Sequence, residues 1–197
     1  MGFTRDELES YEGTTVADLI GPDLRLLFVG INPGLWTAAT QTHFAHPGNR
    51  FYPALLDAGI IDRPIDRGVG MTDDVRRYVI ERGIGITNVV RRATAKASEL
   101  TKAELREGGD LLRQFVRKEH PQVVAIAGIT AYRTAFGFPK AVMGEQVGGF
   151  EGARLWVIPN PSGLNAHETV DTLAVAYREP AVAAGVVASQ LALDAQE

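Results

Sequence analysis

A three-layer α/β/α fold around a central, largely parallel four-stranded sheet is what this 197-residue sequence predicts. Short apolar, β-branched runs alternate with amphipathic helical patterns, as strands do when they pair in parallel through helical crossovers. Two of those runs, 26–29 and 155–158, end directly in turn-rich segments, Gly-Ile-Asn-Pro-Gly at 30–34 and Asn-Pro-Ser-Gly-Leu at 160–164. Such a run reads as a buried strand that hands its last residues to a loop. Loops of this kind converge at the carboxyl edge of a parallel sheet, where open α/β folds place their chemistry. No repeat or linker divides the chain, so residues 1–197 form one domain whose first 24 residues are an acidic extension with a short helix.

The elements follow in order. Thr4 and Glu7 form a capping-box pattern that starts the short helix. The first strand covers 25–30, and a loop runs from Asn32 to about Asn49. A helix over 50–58 places Phe51, Leu55 and Ala58 on one face and stops at Gly59. Thr72, with Asp73 and Asp74 behind it, opens another helix that ends by Gly83, and the β-branched run 84–90 is the second strand. Thr101 and Glu104 form a second capping box ahead of the longest helix, to about Glu119, which Pro121 ends. The third strand is 123–128, with a short helix over 130–136. Residues 144–152 are glycine-rich and read as a hairpin or irregular loop, and 154–159 is the fourth strand. A helix over 168–178 is broken by Pro180, and an alanine-rich helix continues to about Leu193.

Composition removes several chemistries. Without cysteine there is no disulfide, thiolate nucleophile or cysteine-held metal. No apolar stretch is long enough to span a bilayer and no signal-peptide pattern opens the chain, so the expected setting is cytoplasmic, without a membrane. The net charge of −4 is uneven: residues 1–24 carry −5 and the remainder +1. Basic density gathers at Arg76, Arg77, Arg82, Arg91, Arg92 and Lys96, either a weak nucleic-acid surface or a solvated helix face. No Asp or Glu occurs between Asp23 and Asp57 or between Glu151 and Glu168, while His43, His46 and His167 all lie in those windows. Acid-free loops suit a polyanionic partner better than a metal or a catalytic carboxylate pair.

By itself Gly-Ile-Asn-Pro-Gly is a tight turn, lacking the spacing of a dinucleotide or phosphate loop. Its context is longer: LFVGINPGLWTAATQTHFAHPGNRF over 27–51, GIGITNVVRRAT over 83–94, the 102–109 and 122–132 segments, and WVIPNPSGLN over 156–165. These resemble, in the same order over roughly 25–180, the mismatch-specific uracil-DNA glycosylases and their thymine-DNA glycosylase relatives. The resemblance implies a base-flipping DNA-repair hydrolase. It would cleave the N-glycosidic bond of uracil, and of thymine or exocyclic-adduct cytosine, mispaired with guanine in double-stranded DNA. It would act as a monomer, without cofactor or metal. Two alternatives stay open: a relative shifted to hypoxanthine or xanthine, and a non-catalytic lesion-binding protein.

The resemblance also assigns roles. Asn32 is the catalytic residue; an asparagine takes no proton at neutral pH and can only orient a water through its carbonyl oxygen. Thr87 matches a water-assisting threonine, or is an ordinary strand residue. Ile31, Gly34, His43 and Phe44 form the base pocket, with Phe44 the stacking platform or a core residue and His43 pocket-side or on the surface. Asn160, Ser162, Gly163, Leu164, Asn165 and His167 form the wedge and opposite-base loop. Leu164 enters the stack on this reading; on local pattern alone it is a staple packed beneath the loop. Ala166 stands where the family often carries an arginine, which leaves guanine recognition to His167 or Asn165.

Overall fold

The computed structural model describes residues 2–68 and 70–188. In chain order the elements are α1 (Arg5–Glu9), β1 (Leu26–Gly30), α2 (Leu35–Thr40), α3 (Phe51–Asp57), α4 (Asp73–Glu81), β2 (Ile84–Asn88), α5 (Lys102–Glu119), β3 (Val123–Ala127), α6 (Ile129–Phe136), β4 (Gly144–Phe150), β5 (Ala153–Ile158) and α7 (Val170–Ala183). The sheet has five strands, not four, in the order β2-β1-β3-β5-β4. Four run parallel, and β4 lies antiparallel against β5 at the edge. The fifth strand comes from the glycine-rich stretch, which forms a hairpin turning through Glu151 and Gly152, both at positive φ. The residues of β4 have no apolar period and their register shifts between Gln146 and Phe150, so pairing with β5 is what makes this stretch a strand.

Strand alternation feeds two cores. Leu26, Phe28, Ile84 and Ile86 face a cluster built with Phe51, Leu55, Leu173 and Tyr177 of α3 and α7. Leu27, Val29, Val124 and Ile126 face the other side, with Leu112 and Val116 of α5 and Tyr132 of α6. These are the layers on either side of the sheet. Gly108 lets α5 approach the end of β2, since a Cβ there would lie 2.4 Å from the Val89 carbonyl oxygen.

Two further expectations are corrected. The 32–49 loop contains α2, which has no side-chain cap and only six residues, so no local signal marks it. Pro180 lies inside α7 instead of ending it; buried Tyr177, Pro180 and Ala181 hold the helix through the missing N–H. The separate alanine-rich helix therefore begins as the end of α7, and its expected continuation over 189–193 lies outside the described residues. Finally, the acidic N-terminal stretch is stitched into the domain. Val16 and Leu19 are buried, Leu19 exchanges backbone hydrogen bonds with Ile86, and Ala93 does so with Gly13 and Thr14.

Candidate active site at the strand tips

Asn32 follows β1 by two residues and is half-buried. Its Nδ2 lies 3.1 Å from the carbonyl oxygens of Pro33 and Arg92 and 2.7 Å from Thr94 Oγ1. Two carbonyls can only face a donor, so these contacts fix which end of the amide is which. Oδ1 therefore points the other way and has no protein partner among the described residues. It is not sealed from water either: the buried side-chain atoms without a partner there are Arg50 Nε and Tyr52 OH. Thr94 is held in turn, its hydroxyl donating to the Lys96 carbonyl at 2.9 Å.

Beside Asn32, the last residues of β1 and β2 pair as Gly30 and Asn88. A Cβ on Gly30 would meet Asn88 Oδ1 at 2.5 Å and the Phe44 ring at 3.3 Å, so only glycine leaves room for both. Phe44 sits at φ 56, an uncommon conformation for a bulky residue and one that clusters at functional sites. Its ring stacks on Phe51 at 4.1 Å between centroids, yet Phe44 stays half-buried where Phe51 is fully buried. His43 is not a surface residue. It is 3% exposed, with Nε2 3.0 Å from the Ala17 carbonyl oxygen and Nδ1 3.4 Å from Asn88 Nδ2. Burial lowers its pKa below the ordinary imidazole value, although the bond to Ala17 opposes this.

The 160–168 loop closes the third side. Gly128, at φ 98 beyond β3, lies close to both Ile31 and Asn160, whose side chains would be 3.2 and 3.9 Å from a Cβ there. Tyr177 OH, in α7, donates to the Pro159 carbonyl, fixing where the loop leaves β5. Asn160 Oδ1 accepts from Ser162 N, and Ser162 Oγ accepts from Leu164 N. Arg50 spans the loop, donating to the carbonyls of Ser162, Asn165 and Glu168. Gly163 packs against Gly48, whose oxygen would lie 2.6 Å from a Cβ there. Leu164 is 85% exposed, so it is no staple beneath the loop. Asn165 binds the Asn160 carbonyl through Nδ2 and His167 N through Oδ1, which commits it to the loop. His167 is exposed. Gly34, exposed, bridges to Thr94 and caps α2.

Thr87 is not brought to this cluster. It neighbours Asn88 in β2, so their side chains leave opposite faces, and its hydroxyl donates to Asp18 Oδ1 at 2.6 Å. The threonine that meets Asn32 is Thr94. Thr94, Asn88 and Arg50 are the residues that the sequence reading missed; Asn88, like Asn32 and Asn160, ends an apolar run, the one usable signal. The expected basic cluster is half neutralised, since Arg82, Arg91 and Arg92 pair with Asp62, Asp18 and Glu104. Among the described residues no three His, Asp or Glu side chains gather as a metal site. Two surface depressions, one along the 145–154 hairpin and one among Asp62, Arg63, Asp74 and Tyr78, touch none of these residues. The chemistry-bearing groups sit at the strand tips.

Residues 17–181 match the family described as the Uracil DNA glycosylase superfamily. The chain belongs to the uracil DNA glycosylase superfamily. Its fold is also similar to a solution NMR structure from Methanosarcina acetivorans, provisionally described as a uracil DNA glycosylase. That likeness has a TM-score of 0.56 at 17% identity, covering 89% of this chain and 98% of the other. Membership of the superfamily makes this chain a glycosylase-type hydrolase with DNA as substrate. No helix among the described residues is long and apolar enough to cross a membrane.

Proposed function

We propose that this superfamily member is a monofunctional, base-flipping glycosylase that removes uracil mispaired with guanine from double-stranded DNA, acting as a monomer without cofactor. Thymine and exocyclic-adduct cytosine are secondary substrates. The observation that carries the reading is the fixed Asn32 amide, tied at Nδ2 so that Oδ1 has no protein partner among the described residues. Extruding a nucleotide costs a few kcal/mol, least for a mispaired one. Leu164 fills the vacated space, and stacking on Phe44 returns about 1–3 kcal/mol. Ile31 and Gly34 line the turn that holds the pyrimidine edge.

Asn32 takes no proton, so the base departs first, as an anion, from a sugar that becomes oxocarbenium-like. Oδ1 orients the water that adds to the anomeric carbon, and the water's proton passes to solvent or to the departed base. Thr87, bound to Asp18, assists no water in this scheme, and Thr94 holds the Asn32 amide. Asn165 is occupied, so the widowed guanine is met by His167 and by main-chain groups at Gly163 and Leu164.

Pure protein in EDTA should convert a guanine–uracil duplex to alkali-labile sites, and Asn32→Ala should lower the single-turnover rate at least a hundredfold. Cleavage by the variant at the native rate would reject the role of Asn32. A panel of uracil, thymine, ethenocytosine, hypoxanthine and xanthine, opposite guanine and adenine, tests the substrate class. Tight binding without product would indicate the lesion-binding alternative.

A further inference from the structure

The 160–168 loop rests on the 46–50 turn. Arg50 N donates to the Pro161 carbonyl at 3.0 Å, its guanidinium takes three further carbonyls of the loop, and Gly163 abuts Gly48. Neither glycine has a side chain, so that contact is backbone on backbone and no rotamer can give way. The turn is gripped in its own right by an arginine that the functional reading leaves unused. Arg67 Nη1 lies 2.5 Å from the Asn49 carbonyl oxygen and 3.3 Å from that of His46, with Nη2 3.5 Å from that of Pro47. No Asp or Glu occurs between Asp23 and Asp57, so the turn meets this half-buried cation with backbone carbonyls. Ile61 and Ile65, shortly before Arg67, are buried in the core that also holds Phe51, which roots the segment independently of the turn. We propose that Arg67 is a positioning residue for the wedge: it braces the 46–49 turn against the core, so that Leu164 enters a duplex from a base that does not recoil.

The inference rests on the function proposed above and adds a mechanical requirement to it. Driving the exposed Leu164 into a base stack does work against stacking and pairing. The reaction to that push lands on the loop and passes through Gly163 to Gly48. Residues 46–49 form no helix or strand. Their own bonds, Asn49 N to the His46 carbonyl at 2.8 Å and Gly48 N to His46 Nδ1 at 3.0 Å, are local. Arg67 supplies a tie from the turn to a neighbouring, core-rooted segment. A guanidinium suits the task, because its planar fork carries several donors and spans adjacent carbonyls where an ammonium is a point charge. A single strand has no stack to open, so the brace matters for duplex alone. Arg50 grips the loop directly and its loss would disorder the loop itself, which makes Arg67 the residue to vary.

The test compares native protein, Arg67→Ala, Arg67→Lys, Leu164→Ala and the double variant Arg67→Ala/Leu164→Ala in single-turnover cleavage of uracil, opposite guanine in a duplex and in a single strand. Arg67→Ala should slow the duplex reaction about tenfold, the size of one charge-assisted hydrogen bond, and the single-strand reaction less than about twofold. Arg67→Lys should fall between native and alanine on duplex. With the leucine gone there is nothing left to brace, so the double variant should cleave duplex within about twofold of Leu164→Ala alone. Amide hydrogen exchange of the free protein gives a readout independent of activity. In Arg67→Ala the amides of Arg50 and Leu164 should exchange at least about fivefold faster, with those of β1 and β3 unchanged. Equal losses on duplex and single strand, a double variant whose loss is the product of the single losses, or unchanged exchange at both amides would overturn the inference while uracil cleavage stands. Native protein that cleaves no deaminated base overturns the functional reading, and the wedge-bracing role with it, whatever the exchange shows.

Discussion

At the scale of single residues, polarity matching decides which side chains are free to act. Asn32 is tied at its nitrogen by two carbonyls and a hydroxyl, which leaves its oxygen without a protein partner among the described residues. An aspartate there would set a carboxylate oxygen against the carbonyls of Pro33 and Arg92. We expect Asn32→Asp to gain no activity and to lose about 1–3 kcal/mol of stability, the cost of a buried polar group without its partner. Repulsion from those carbonyls raises the new carboxyl's pKa above its unfolded value. Its protonated form is therefore favoured on folding, and the loss grows as pH rises from 4 to 7; urea denaturation at both ends checks the sign. Thr87 and Asn88 make the companion point. Adjacent strand residues face opposite sides, so a choice of Thr87 for the site excludes Asn88, and the packing decides for Asn88.

At the scale of elements, α5 anchors the segment that holds Asn32. Glu104 closes the capping box with Thr101 and also takes Arg92 Nε, and the carbonyl of Arg92 accepts from Asn32. The bond to Arg92, then those to Thr101, hold the Glu104 carboxyl down at about 2. Its folded pKa lies below its ordinary value of 4.5, so its stabilisation is present above about 4.5 and is lost as pH falls to about 2. Thermal melts should show Glu104→Gln less stable than native at pH 7 and equal to it near pH 2, with a reduced glycosylase rate at pH 7. Equal melting temperatures at pH 7 would dismiss the anchor. Arg50 works similarly on the other wall, where three carbonyls of the 160–168 loop share one guanidinium.

At the scale of the whole molecule, the parallel strands end in three polar residues, Asn32, Asn88 and Asn160, and the loop after the last of them carries the exposed Leu164. Leu164 has no packing partner to lose in the free protein, so Leu164→Ala should leave the melting temperature within about 1 °C, as surface changes do. On uracil in a duplex the variant should be slower by at least tenfold, and on uracil in a single strand nearly native, because only the duplex has a space to fill. Equal losses on both substrates would remove the wedge. Half of the expected basic cluster is spent in ion pairs, so duplex affinity should be modest, with a shallow dependence on salt.

The α/β class, the parallel strands and the Asn32 and Leu164 loops were legible in the sequence because apolar periods and turn residues are local properties. Pairing and packing are not local, and they decided the rest. β4 is a strand through its neighbour β5, and α7 passes Pro180 because Tyr177 and Ala181 are buried. His43 is inside because the N-terminal stretch covers it, and Thr94 reaches Asn32 across sixty-odd residues of chain. Residue type proposed an amide at a strand tip; only the acceptors folded around it determined which of its atoms is left for water.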